Sequence, residues 1–72
     1  MSRQSSYGQN ILTDRERQAL DLLVRTGCNK LIAREMGVAP NTVEIHLASA
    51  REKMGAPNRV LQAVTWALGR PA

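Results

Sequence analysis

Between the apolar stretch that ends at Met36 and the one that opens on Pro40 lie only Gly37, Val38 and Ala39. Three residues allow a tight turn and nothing longer, so two helices must meet there at a corner. Gly37 can take positive φ without steric cost. Small Ala33 lies where the two helices must approach closely, and Val43 lies where a β-branched side chain can plug the angle between them. Counted from Asn29 to Ala48, the small residue is fifth, the glycine ninth and the β-branched residue fifteenth. That spacing is the pattern of a helix-turn-helix. The plainer reading is a helical corner that merely packs, since any such joint favours small residues.

Other punctuation divides the rest of the chain. Thr13 and Glu16 form T-x-x-E, a capping box that predicts a helix start, and Asp14 adds negative charge at the positive end of the helix dipole. Ala19, Leu20, Leu22, Leu23 and Val24 give this first helix a broad apolar face, and Gly27 stops it. A short second helix follows, with Asn29 as its N-cap, Leu31, Ile32, Ala33 and Met36 as its buried face, and Gly37 as its end. The third is expected over residues 40–54, with Pro40 in the first turn, where a missing N–H costs nothing. Its residues Val43, Leu47, Ala50 and Met54 fall on one narrow arc and face the core. The opposite arc carries Asn41, Glu44, Ile45, Ala48 and Glu52, flanked by Thr42 and Ser49. Gly55 and Pro57 break this helix, and a fourth is expected over residues 59–68, behind an Asn58 cap and before Gly69 and Pro71. The fold class is therefore all-α, a four-helix (tetrahelical) helix-turn-helix domain over residues 11–69. The helix-turn-helix unit spans residues 29–48. Residues 1–10 are polar and form a tail, in which Arg3 could reach a phosphate.

A chain of 72 residues holds one small domain, and its core must be aliphatic, because Phe is absent and Tyr7 and Trp66 are the only aromatics. Cys28 is the sole cysteine and His46 the sole histidine, which excludes a disulfide framework and leaves no expected metal site or cofactor. There is no Ser/His/Asp constellation, no paired carboxylates on an apolar face and no Gly-rich phosphate loop, so no enzyme is expected and no catalytic residue is assigned. Apolar runs fall far short of the ~20 residues that span a bilayer, so no membrane partner is expected, and the expected location is the cytoplasm, at the nucleoid. Ten Lys and Arg against six Asp and Glu, a net charge of +4, direct attention to a polyanion.

Several blocks then occur in order: Leu12-Thr13-Asp14-Arg15-Glu16, Asn29-Lys30-Leu31-Ile32-Ala33, Met36-Gly37-Val38, Thr42-Val43-Glu44-Ile45-His46-Leu47, Lys53-Met54-Gly55 and Asn58-Arg59. They resemble the DNA-binding domain of LuxR-type (GerE-like) bacterial regulators, whose run is roughly L-T-x-R-E, N-K-x-I-A, L-G-[IV]-S-x-x-T-V-x-x-H, K-L-G and N-R. The resemblance covers residues 11–68. It implies that the third helix is a recognition helix entering the major groove of double-stranded DNA, and that homodimers form through the fourth. It also implies phosphate contacts at Lys30, Thr42, His46, Ser49 and Lys53, with Asn41, Glu44, Ile45 and Ala48 facing the bases. His46, at the edge of the core arc, reads equally as a structural histidine.

The chain departs from the family where sequence would be read. Glu44 stands where members often carry Lys, and Ala48 occupies a frequently polar position. Glu can accept from cytosine N4, and Ile45 or Ala48 can touch a thymine methyl. Ala39 replaces the usual Ser N-cap, and Asn41 with Glu44 offers a later cap. The fourth helix is apolar almost all round, and the dimer surface is expected at Leu61, Val64, Thr65, Trp66 and Leu68, although Trp66 could instead close the monomer core.

With no receiver or sensing module in these residues, the leading expectation is a stand-alone transcriptional regulator on an inverted repeat. The alternative is a protein-interaction module that heterodimerises with and inhibits a full-length LuxR-type regulator, or that binds RNA polymerase.

Overall fold

The computed structural model describes residues 12–69, so the expected tail with Arg3 lies outside the described residues, as does Pro71. Four helices follow one another: α1 (Asp14–Thr26), α2 (Asn29–Met36), α3 (Pro40–Met54) and α4 (Arg59–Gly69). No strand occurs among the described residues, and the all-α class expected from the sequence is the one observed.

Local chemistry sets the ends. At α1 the Glu16 backbone N–H donates to Thr13 Oγ1 at 3.1 Å while the Thr13 N–H donates to Glu16 Oε1 at 2.9 Å, closing the capping box. At α4 the Leu61 N–H donates to Asn58 Oδ1 at 2.9 Å, the cap read from the sequence. The cap of α2 differs from expectation. Cys28, not Asn29, precedes the helix, and Asn29 is its first residue. Hydrogen bonding from the backbone N–H groups of Leu31 and Lys30 at this helix start lowers the Cys28 thiol from its ordinary value. Asn29 is thereby free to serve elsewhere.

No side chain caps α3. Ala39 has the extended backbone of an N-cap (φ −74°, ψ 151°) and no oxygen to offer, and the helix starts at Pro40 rather than at a later Asn41–Glu44 cap. Ala39→Ser is therefore expected to stabilise the domain by about 1 kcal/mol. That should raise the melting temperature by roughly 4–8 °C in a domain of this size, measured by circular dichroism.

The core is aliphatic with one aromatic. Leu20, Ile32, Val43 and Leu47 are fully buried, joined by Leu12, Leu22, Leu23 and Met36, by Ala19, Ala33 and Ala50 where backbones come close, and by Trp66. Helix α1 packs against the other three, α2 packs on α3, and α3 meets α4 more lightly. Two residues expected inside are exposed: Val24 and Leu31 lie at the edges of their apolar arcs.

Helix α4 holds the largest correction. The polar residue faces inward: Gln62 is fully buried and donates from Nε2 to the Leu47 carbonyl at 2.9 Å, fastening α4 to the middle of α3. One turn on, Trp66 is also buried, its indole N–H donating to Asp21 Oδ1 of α1 at 2.8 Å. Trp66 therefore does not belong to the expected dimer surface. The large apolar residues left outside are Val60, Leu61, Val64 and Leu68, with Thr65 beside them.

Candidate nucleic-acid interface

The corner between α2 and α3 is closed by backbone bonds. The Val38 N–H reaches the Ala33 carbonyl at 3.0 Å and the Gly37 N–H reaches that of Arg34 at 3.3 Å, a Schellman closure. Gly37 sits at φ 71° with open space where a Cβ would be, so left-handed backbone rather than crowding calls for glycine. Arg15 of α1 braces the same corner, donating from Nη1 to the Met36 carbonyl at 3.4 Å. Val38 then packs against the core, and α3 leaves the corner at a fixed angle.

Helix α3 is gripped along both flanks. On one side Lys53 Nζ lies 2.9 and 3.2 Å from the two oxygens of Glu16, and the Ser49 hydroxyl, one turn earlier, favours the charged form of the same carboxylate. Burial works against a charge on Glu16. The Thr13 backbone N–H, Ser49 and Lys53 outweigh it and lower the carboxyl from 4.5 to about 2. On the other flank Glu44 Oε2 accepts from Asn29 Nδ2 and, at 2.7 Å, from Arg59 Nη2, while Arg59 Nη1 donates to Asn29 Oδ1 at 2.8 Å. This closed ring ties the first residues of α2 and α4 to the second turn of α3. Here too burial opposes the charge. Hydrogen bonds from Asn29 and Arg59 and the charges of Arg59 and Arg51 outweigh it and lower the Glu44 carboxyl.

Between these flanks α3 presents a continuous outward arc. Asn41, Glu44, Ile45, Ala48 and Glu52 are exposed, while Val43, Leu47 and Ala50 on the opposite side are fully buried. The residues expected to face bases thus share one exposed surface, with Glu44 at its edge. The expected phosphate set divides. Lys30 is exposed beside Asn29, and Thr42 and His46 are half-buried. Ser49 and Lys53, expected to contact phosphates, lie on the side of Glu16, where Lys53 braces the helix. Arg15, Asn29 and Arg59, which sequence reasoning gave no role at the interface, are the residues that hold α3 in place. No local pattern marks such partners, because Arg15 lies 21 residues from the carbonyl it braces and Arg59 lies 30 from Asn29.

No group of three His, Cys, Asp or Glu able to hold a metal occurs among the described residues. No helix among them is long and apolar enough to cross a membrane.

Comparison with known proteins accounts for the arrangement. The family model described as "Bacterial regulatory proteins, luxR family" matches residues 10–67. The chain is 44% identical over 56 residues to the transcriptional regulatory protein UhpA of Escherichia coli (strain K12), covering 78% of this chain and 29% of that one. It is 44% identical over 54 residues to the transcriptional regulatory protein FixJ of Azorhizobium caulinodans, covering 72% and 26%. With the spore germination protein GerE of Bacillus subtilis (strain 168) it shares 34% identity over 59 residues, covering 82% of this chain and 80% of the relative. The chain thus spans under a third of UhpA and FixJ but most of GerE. No solved structure matches it. With the family model reaching from the capped start of α1 almost to the end of α4, the chain belongs to the luxR family of bacterial regulatory proteins.

Proposed function

We propose that this domain regulates transcription by binding double-stranded DNA, with α3 as the recognition helix in the major groove, and that it does so as a homodimer joined through α4. The observation that carries the reading is the outward arc of α3. A 15-residue helix, gripped on both flanks and buried along its inner side, leaves one exposed face of groove-reading size. Membership in the luxR family and the names of relatives such as the transcriptional regulatory proteins UhpA and FixJ support it.

Asn41, Ile45 and Ala48 would face base edges. Lys30, Thr42 and His46 would lie toward phosphates and fix register, each basic contact adding about one to the salt slope. Lys53, already engaged by Glu16, would contribute less than an unpaired lysine. With Glu44 and Glu52 on the same helix, affinity per subunit is modest, and pairing two subunits compensates by doubling the contacts.

The strip of Val60, Leu61, Val64 and Leu68 supports association. It is a line of exposed aliphatic side chains on one helix, with Leu68 82% and Val60 70% exposed. Two-fold pairing through it implies half-sites in an inverted repeat about one helical turn apart. The same strip also favours a second reading, in which α4 captures another luxR-family regulator and withholds it from DNA.

Selection of bound sequences from a random duplex pool near physiological salt tests the proposal. An enriched inverted repeat is expected; no enrichment by a folded domain would overturn DNA reading and favour the captured-partner alternative. The dimer surface has its own test. Leu61→Glu with Val64→Glu is expected to leave the domain folded, because both side chains are exposed in the single chain, while the sedimenting mass halves and binding to the repeat weakens at least tenfold, by about 1.4 kcal/mol. An unchanged mass would place the interface elsewhere.

A further inference from the structure

The ring of Asn29, Glu44 and Arg59 does more than join three helices. Both of its bonds to Glu44 fall on one oxygen, Oε2, and the Glu44 side chain remains half exposed. Oε1 accepts no hydrogen bond among the described residues. Glu44 lies in the second turn of α3, and the N-terminal part of a recognition helix is where side chains reach base edges.

A carboxylate is usually a poor guest beside DNA, because phosphates repel it. Here the Arg59 guanidinium, 2.7 Å away, balances its charge. A free Glu side chain also loses rotamer freedom when it engages a base. The fork of Arg59 and the amide of Asn29 impose that order during folding, so binding need not.

Resting on the DNA-binding reading above, we infer that Glu44 is a specificity-determining residue whose second oxygen, Oε1, accepts from the N4 amino group of a cytosine, and that Asn29 and Arg59 are the positioning residues that aim it. A carboxylate is acceptor-only, and cytosine is the base whose major-groove edge offers an amino donor without an adjacent acceptor. Base choice by α3 then depends on the first residue of α4, which itself touches no base.

The test compares sequences selected from a random duplex pool by the unaltered protein, Glu44→Gln, Arg59→Gln and Arg59→Lys, with melting curves recorded for each. The unaltered protein is expected to enrich a cytosine at one fixed position in each half-site. Glu44→Gln, nearly isosteric, should move that position toward adenine, whose N6 and N7 a glutamine amide matches, and weaken binding to the original site about tenfold. Arg59→Gln should relax the preference at that position alone, and Arg59→Lys should restore part of it through charge without the fork.

Failure takes distinguishable forms. If the unaltered protein enriches a motif and Glu44→Gln enriches the same one, DNA binding stands and the inference falls. If Arg59→Gln weakens all duplexes equally and lowers the salt slope by about one, Arg59 is a phosphate ligand and not a positioning residue. If no duplex is bound by the folded protein, the DNA-binding reading fails and takes this inference with it.

Discussion

Trp66→Ala is expected to unfold most of the domain rather than to separate its subunits. The ring is 7% exposed within a single chain, inside the same cluster as Leu20, Leu23 and Leu47. Truncating a buried Trp costs about 3–5 kcal/mol, through lost transfer energy and the cavity left behind. The indole N–H bond to Asp21 goes with it. A domain this small has a total stability near the lower end of the usual range, roughly 5 kcal/mol, so one substitution removes most of it. Trp66→Phe keeps much of the ring and loses the N–H, and should cost about 1–2 kcal/mol. Urea denaturation followed by far-ultraviolet circular dichroism measures both. The contrast with Leu61 and Val64 is the informative part, since those lie on the same helix but outside the core. A folded, monomeric Trp66→Ala protein would return the ring to the dimer surface and remove it from the core.

That contrast shows which features were legible in the sequence. Helix boundaries were, because caps, glycines and Pro40 act within one turn of the residue they control. The core arc of α3 was as well, since Val43, Leu47 and Ala50 recur at the helical period and are fully buried. On α4 periodicity misled. Nearly every residue there is apolar, so the pattern has no inward side, and the packing chose polar Gln62 for the interior, where Leu47 offers a carbonyl. The cap of α2 was misplaced by one residue because Asn is a strong N-cap by itself. Its amide is instead drawn to Glu44 and Arg59, partners 15 and 30 residues away. The outward arc of α3 was legible as an exposed face, whereas its supports were not. Ser49 and Lys53 have the chemistry of phosphate ligands, and only the approach of α1 turns them toward Glu16.

Glu16 itself should make stability fall steeply in acid. Its carboxyl is held at about 2 in the folded chain, against an ordinary 4.5. A lowered folded value stabilises above the unfolded pKa, and that contribution is lost as pH falls toward the folded one. The window is therefore about pH 5 down to about pH 2. At about 1.4 kcal/mol per unit, the fall from 4.5 to about 2 corresponds to roughly 3 kcal/mol as an upper value. The carboxylate is 5% exposed, so solvent screens it little; Lys53, at 32%, is screened more. Two substitutions separate the causes. Glu16→Gln keeps an acceptor for the Thr13 N–H, since Gln also serves in a capping box, but cannot carry the charge that Lys53 faces. Its stability should lie about 2 kcal/mol below that of the unaltered protein at neutral pH and should change much less between pH 5 and 2. Lys53→Met removes the cation and leaves the cap, so the acid loss should be smaller and should end at a higher pH, as the folded-state carboxyl rises toward its ordinary value while the unfolded one stays put. Urea midpoints across this range decide the matter. If the unaltered protein and Glu16→Gln lose stability in parallel, carboxylates other than Glu16 drive the acid transition. The contact between α1 and α3 would then hold by packing alone, and Lys53 would be free to face a phosphate.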